Sequence, residues 1–211
     1  MSEFRAEDLG GLSLTELLAH VAAKSPTPGG GAVASAVGAL GAALGQMVVS
    51  YSLGKKNLAV HQPALEKAAG YLTRARGLLL MLATEDAQAY GRVNALSKLP
   101  EGDPARAGLA EAERAAVEVP LAVMAAGVDL LREFEALAPM TNVQLHSDLE
   151  IAAILAEATV RAGACNVRVN ARFWSDREGA ERALSQMGAL MKAAAERLPV
   201  VETLCRPAAS K

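Results

Sequence analysis

The sequence is poor in aromatic side chains, with one Trp, three Tyr and three Phe among 211 residues. Sheets favour β-branched and aromatic residues, so this scarcity argues against a β core. No segment alternates convincingly between apolar and polar residues at period two, so the usual mark of a half-buried strand is missing. Cysteine is scarce as well. Cys165 and Cys205 lie far apart without C-x-x-C spacing, and two incidental thiols in a reducing compartment fit better than a disulfide framework. Three histidines, His20, His61 and His146, show no paired spacing and make no metal site. Only His146, beside Ser147, is a candidate for chemistry. There is no excess of positive charge: the net charge of −2 argues against nucleic-acid and anionic-membrane partners. The first ten residues, MSEFRAEDLG, lack the basic-then-apolar pattern of a leader and point to the cytoplasm. With no internal repeat or long linker, residues 1–211 read as one domain.

What is present is alanine, leucine and glycine in helical rhythm. Ser13-Leu-Thr-Glu16 is a capping box before LLAHVAAK. Thr27-Pro28 reads as an N-cap and first helical proline, opening a glycine-rich helix that runs to about Tyr51. A third helix is expected from near Pro63 to about Leu99, carried by a stripe through Leu65, Leu72, Leu79 and Leu82. Asp103-Pro104 caps a fourth, which Pro120 should kink or divide. APMTNVQLH reads as a loop. Ser147-Asp-Leu-Glu150 forms a capping box for a fifth helix ending around Asn170, and Ser175-Asp-Arg-Glu178 opens a sixth. The expected fold is an all-α, single-domain bundle of about six main helices, with the second near its centre. Residues 32–49 carry no charge and include Gly41-x-x-x-Gly45, a membrane-pair pattern. Their weak apolarity favours a buried helix of a soluble fold.

Three features invite chemistry. Gly29, Gly30 and Gly31 sit at the mouth of the second helix, where backbone N–H groups lack intrahelical partners and bare backbone can meet a ligand's carbonyl, carboxylate or phosphate. The alternative is close helix crossing, the role expected of Gly38, Gly41 and Gly45. Asp86 takes a position on the third helix's stripe where an apolar residue is due. It is either a half-buried carboxylate with a raised pKa or one side of an ion pair with Arg76 or Arg92. Asn142, Ser147 and Asp148 form a polar group before and within the fifth helix, and Asn166 and Asn170 share a face further along it. Eighteen residues, five turns or about 27 Å, separate Asp148 from Asn166 on one face. One small substrate cannot bridge them within a chain, so a site at a dimer interface is expected. Lys55 and Lys56 after the second helix are solvated charges or grips for an anionic tail.

The order of PTPGGG, GKK, D-x-x-A-Y, KLP, VPL, SDL and NVRVN over residues 12–170 resembles the formimidoyltetrahydrofolate cyclodeaminases and bacterial methenyltetrahydrofolate cyclohydrolases. The sequence departs from that family's pattern at Thr141-Asn142 and Gln144, where Gly-Asn and a second Asn are usual. The resemblance implies a helical, dimer-based enzyme acting at the carbon between N5 and N10 of tetrahydrofolate, with no metal and no tightly bound cofactor. Cyclohydrolase is the preferred activity, because no transferase domain accompanies the chain; ammonia-releasing cyclodeaminase is the alternative, and an inactive helical folate- or anion-binding protein is the alternative of another class. Asp148 or Asp86 would move protons, with Asp148 preferred. Asn142, Ser147, Asn166 and Asn170 would hold the pterin and reacting nitrogens. Thr27, the glycine N–H groups, Lys55 and Lys56 would meet the pterin carbonyl or glutamate carboxylates.

Overall fold

A computed structural model describes residues 9–206, so most of the N-terminal stretch judged for a leader lies outside the described residues. Every regular element among them is helical: α1 (Leu14–Ala22), α2 (Gly30–Ser50), α3 (Gln62–Leu96), α4 (Leu109–Leu137), α5 (His146–Phe173) and α6 (Arg177–Cys205). The expected all-α bundle is the one observed. Short 3-10 turns fill the connections, including two within residues 138–145 where an irregular loop was expected. Both thiols are free, Cys165 exposed and Cys205 buried.

α2 packs chiefly against α3 and α5, not at the centre expected from the sequence, and glycine lets its neighbours come close. A methyl on Gly41 would lie 3.1 Å from the Ala152 carbonyl and 3.3 Å from the Leu155 Cβ. A methyl on Gly45 would overlap the ring of Phe134, which is completely buried. The same device recurs between α4 and α5, where Gly127 faces Val160 and Gly163 faces Met124. A core dominated by Ala and Leu therefore closes with few aromatics. α2 is long and apolar enough to cross a membrane by length and composition, with a mean hydropathy of 1.8 over its most apolar window. More than half of that window is buried inside the fold.

Pairs along α2 give the directions. Gln46 donates to Thr73 early in α3, whereas Gly31 meets Asp86 late in it. Gly41 meets Ala152 early in α5, whereas Gly30 meets Asn166 late in it. α2 is thus antiparallel to both flanking helices. Its N-terminal tip stops at Asp86, and α3 continues ten residues further, about 15 Å. α3 and α5 overshoot the tip, leaving a slot between them.

Several boundaries differ from the sequence reading. The cap of α2 is Gly29, not Thr27, and Thr27-Pro28 is a cis peptide lying before the helix. Asp103 caps a 3-10 turn at Pro104–Gly108 rather than α4 itself. α5 starts at His146 behind Leu145, with no side-chain cap, so the Ser147–Glu150 capping box is not formed. Asn142 instead caps the preceding 3-10 turn, accepting from the Gln144 N–H. α6 is capped by Asp176, which accepts from the Gly179 N–H, while Ser175 donates to Glu113. The capping box of Ser13 and Glu16 forms as expected.

α4 runs unbroken through Pro120. A proline cannot donate to the carbonyl four residues back, which is that of Ala116. That carbonyl accepts from Asn170 Nδ2 of α5 at 2.6 Å. The side chain replaces the missing backbone donor, so the orphaned acceptor is satisfied and the helix need not divide.

Candidate active site

The slot beyond the α2 tip is a chamber of about 270 Å³. Its walls bring together Thr27, Gly29, Gly30, Gly31, Asp86, Asn166 and Asn170, all expected as site residues from the sequence. Pro26 also lines it, as do Tyr90, Ala116 and Val169, which were not expected. These last three were missed for different reasons. Tyr90 and Val169 lie one turn from Asp86 and three residues from Asn166, but pattern alone gives neither a polar role. Ala116 matters through its carbonyl, which no side-chain motif records.

The glycines have distinct tasks. A Cβ on Gly31 would overlap all three carboxyl atoms of Asp86, so only glycine lets that side chain lie against the helix tip. A Cβ on Gly30 would sit 3.5 Å from Asn166 Oδ1, in ordinary contact, and Gly29 is open toward the chamber apart from the Pro26 carbonyl. The tip is therefore closed neither by helix crossing nor by bulky side chains. It receives a carboxylate from its own chain, at the positive end of the α2 dipole.

Asp86 is the electrostatic centre of the chamber. Burial pushes its carboxyl up to about 6, and the Ala32 backbone N–H that donates to it opposes the rise. No ion pair to Asp86 is found among the described residues, so the pairing with Arg76 or Arg92 does not form. Arg76 lines an apolar groove beside α1, and Arg92 reaches toward Gly108. A half-buried carboxylate near pKa 6, facing a cavity with no cation of its own, can take up or release a proton near neutrality and attract a positive ligand.

The carboxamides are held in place. Asn170 is fixed by its bond to Ala116, which uses one of its two amide N–H donors and leaves the second N–H and the carbonyl oxygen to offer. Asn166 Nδ2 donates to the Ala162 carbonyl at 3.3 Å.

Lys55, Lys56, Asn142, Ser147 and Asp148 are gathered at the opposite end of α2. Ser52 Oγ donates to Val48 O and accepts from the Asn142 N–H, tying the segment before α5 to the end of α2. Gly54, at φ +73°, turns the chain there in the left-handed region, and its N–H meets Gln62 Oε1. Asp148 is half-exposed in the first turn of α5 and does not reach the chamber within one protomer. The separation read from turn counting holds in the fold.

Residues 13–189 match the family described as formiminotransferase-cyclodeaminase. A methenyltetrahydrofolate cyclohydrolase of Methylorubrum extorquens is 33% identical over 201 residues, covering 92% of this chain and 97% of that one. The formimidoyltransferase-cyclodeaminase of Rattus norvegicus is 31% identical over 187 residues, 86% of this chain but 35% of its own length. The crystal structure of formiminotetrahydrofolate cyclodeaminase from Thermotoga maritima matches with a TM-score of 0.85 at 33% identity, over 92% of this chain and 96% of that one.

Proposed function

Because the chain belongs to the formiminotransferase-cyclodeaminase family, we propose that it is a folate one-carbon enzyme, a methenyltetrahydrofolate cyclohydrolase whose working carboxylate is Asp86. The observation that carries this reading is a cation-free carboxylate of pKa about 6 facing a chamber beside a bare helix tip. The methenyl group of the substrate is a delocalised cation between N5 and N10, and it supplies the positive charge that Asp86 lacks. Ionised Asp86 takes one proton from water as the oxygen adds to the methenyl carbon. The bond from that carbon to N5 then breaks, N5 receives the proton back from Asp86, and the carbinol proton leaves to solvent. The products are 10-formyltetrahydrofolate and one proton. Positioned proton transfer of this kind contributes about 10²–10⁴-fold. Asn166 and the free oxygen of Asn170 hold the pterin's hydrogen-bonding edge, and the Gly30 and Gly31 amides favour its carbonyl. No tightly bound cofactor or metal is needed, and the substrate is met in the cytoplasm, with no nucleic acid or membrane as partner.

The second reading is formimidoyltetrahydrofolate cyclodeaminase, supported by the likeness to the Thermotoga maritima protein across nearly its whole length. There N10 attacks the formimino carbon, its proton passes to the former imino nitrogen, and protonated Asp86 supplies one more, so that ammonia leaves and the methenyl cation remains. Purified protein with methenyltetrahydrofolate, followed by near-ultraviolet absorbance, decides between them. Enzyme-dependent decay supports the hydrolase; ammonia release from the formimino compound supports the deaminase. Binding without either reaction contradicts both.

We further propose a homodimer in which the cluster at Lys55, Asn142 and Asp148 of one protomer approaches the chamber of the other. α2 carries an exposed or half-exposed apolar stripe through Val33, Val37, Leu40, Leu44, Met47 and Tyr51. Ile151 and Ile154, just beyond Asp148 on α5, are exposed too. A twofold axis through the middle of such a face sets each glycine tip against the other protomer's Lys55 end. Asp148 of the partner subunit then adds a second negative charge for the substrate cation.

A further inference from the structure

Beside the chamber lies a second lobe of about 210 Å³, with Tyr90, Ala116, Val169 and Asn170 lining both. Its walls include two helix faces at helical spacing: Tyr90, Val93 and Asn94 on α3 with its C-cap Ser97, and Val169, Asn170 and Phe173 on α5. The two lobes differ in chemistry. Carboxylate, carboxamides and bare backbone line the first, whereas Val93, Val169, Phe173 and the Tyr90 ring dominate the second. Phe173 is 74% exposed and Tyr90 46%, in a chain with only seven aromatic residues. Two of those seven therefore sit unpacked on one small cavity, and large rings left in water beside a cleft are suited to stack on a ligand.

Resting on the folate reading above, we propose that this lobe is the subsite for the substrate's p-aminobenzoyl ring. A reduced folate is polar at the pterin, cationic at the reacting carbon, flat and apolar at the aryl ring, and anionic only at its far end. The two lobes repeat that order, with Asp86 on the polar side of their shared wall. With the pterin at the glycine tip, the aryl ring follows past Tyr90 into the space between Val93, Val169 and Phe173. Glu113, which also lines the lobe, accepts from both the N–H and the hydroxyl of Ser175. Its negative charge keeps the glutamate carboxylates from entering, so the tail leaves toward solvent past Ser97.

The test uses two partial ligands as competitive inhibitors: p-aminobenzoylglutamate, which lacks the pterin, and 6-methyltetrahydropterin, which lacks the aryl ring. Val93→Trp fills the lobe, and Phe173→Ala removes an exposed ring whose loss leaves the core untouched. In both variants the inhibition constant of p-aminobenzoylglutamate is expected to rise roughly tenfold, with that of 6-methyltetrahydropterin unchanged. Equal weakening of both probes, or no weakening in either variant, overturns the proposal. Wild-type binding of the pterin probe alone overturns this subsite but leaves the folate reading standing. Binding of neither probe overturns both.

Discussion

Asp86 is held in a position that costs stability and gives reactivity. Its folded pKa of about 6 lies above the ordinary carboxylate value near 3.8, so the folded chain binds this proton more tightly than the unfolded chain. The contribution is most favourable below about pH 4, declines as pH rises toward about 6, and is flat above. A rise of this size corresponds to at most about 3 kcal/mol. Asp86→Asn should therefore remove that decline and raise stability at pH 8 relative to the wild type, as measured by urea unfolding at pH 4.5 and 8. Equal stability of the two proteins at both pH values would mean that the carboxylate is not strained by burial. In the cyclohydrolase, Asp86 works ionised, so kcat/KM should rise with pH through about 6. Asp86 was legible in the sequence as a carboxylate on an apolar stripe. Its partner was not, because the partner is the missing side chain of Gly31.

At the scale of the helix, the glycines of α2 divide into those that face the site and those that set packing. Gly45 belongs to the second kind, since a methyl there meets the buried ring of Phe134. Gly45→Ala should destabilise by about 1–3 kcal/mol through overpacking, despite alanine's better helix propensity. Gly77 on α3 has nothing within 4 Å of its would-be Cβ, and Gly77→Ala should stabilise by about 0.5–1 kcal/mol. Paired denaturation curves check both, and a gain at Gly45 would contradict the close crossing. Helix number and order were legible because Ser13, Gly29 to Gly31 and the apolar stripes act locally. Three caps were misplaced by one or two residues, at Thr27, Ser147 and Ser175, because several polar residues compete at each start and tertiary bonds decide among them. Ser175, for example, is drawn to Glu113. Pro120 looked like a break for the same reason: the Asn170 amide that repairs it comes from 50 residues further along.

On the scale of the whole molecule, the two polar clusters sit at opposite ends of α2, and only a second protomer can join them. The separation followed from turn counting, whereas the slot itself did not, because it arises from α3 and α5 overrunning a shorter α2. If the proposed dimer is right, mixing Asp86→Asn and Asp148→Asn proteins under exchange conditions should restore activity. Half of the dimers would be mixed and each would carry one intact site, giving about a quarter of wild-type turnover. Leu40→Glu, on the apolar stripe of α2, should yield monomers by sedimentation. No restoration in verified mixed dimers would show that Asp148 and Asp86 do not share a site.

The most direct test of the central claim is turnover of methenyltetrahydrofolate by purified wild-type and Asp86→Asn proteins, read from the decay of substrate absorbance. The account predicts enzyme-dependent decay that falls at least about a hundredfold in the variant, in a protein that remains folded. Near-wild-type decay in the folded variant would contradict it.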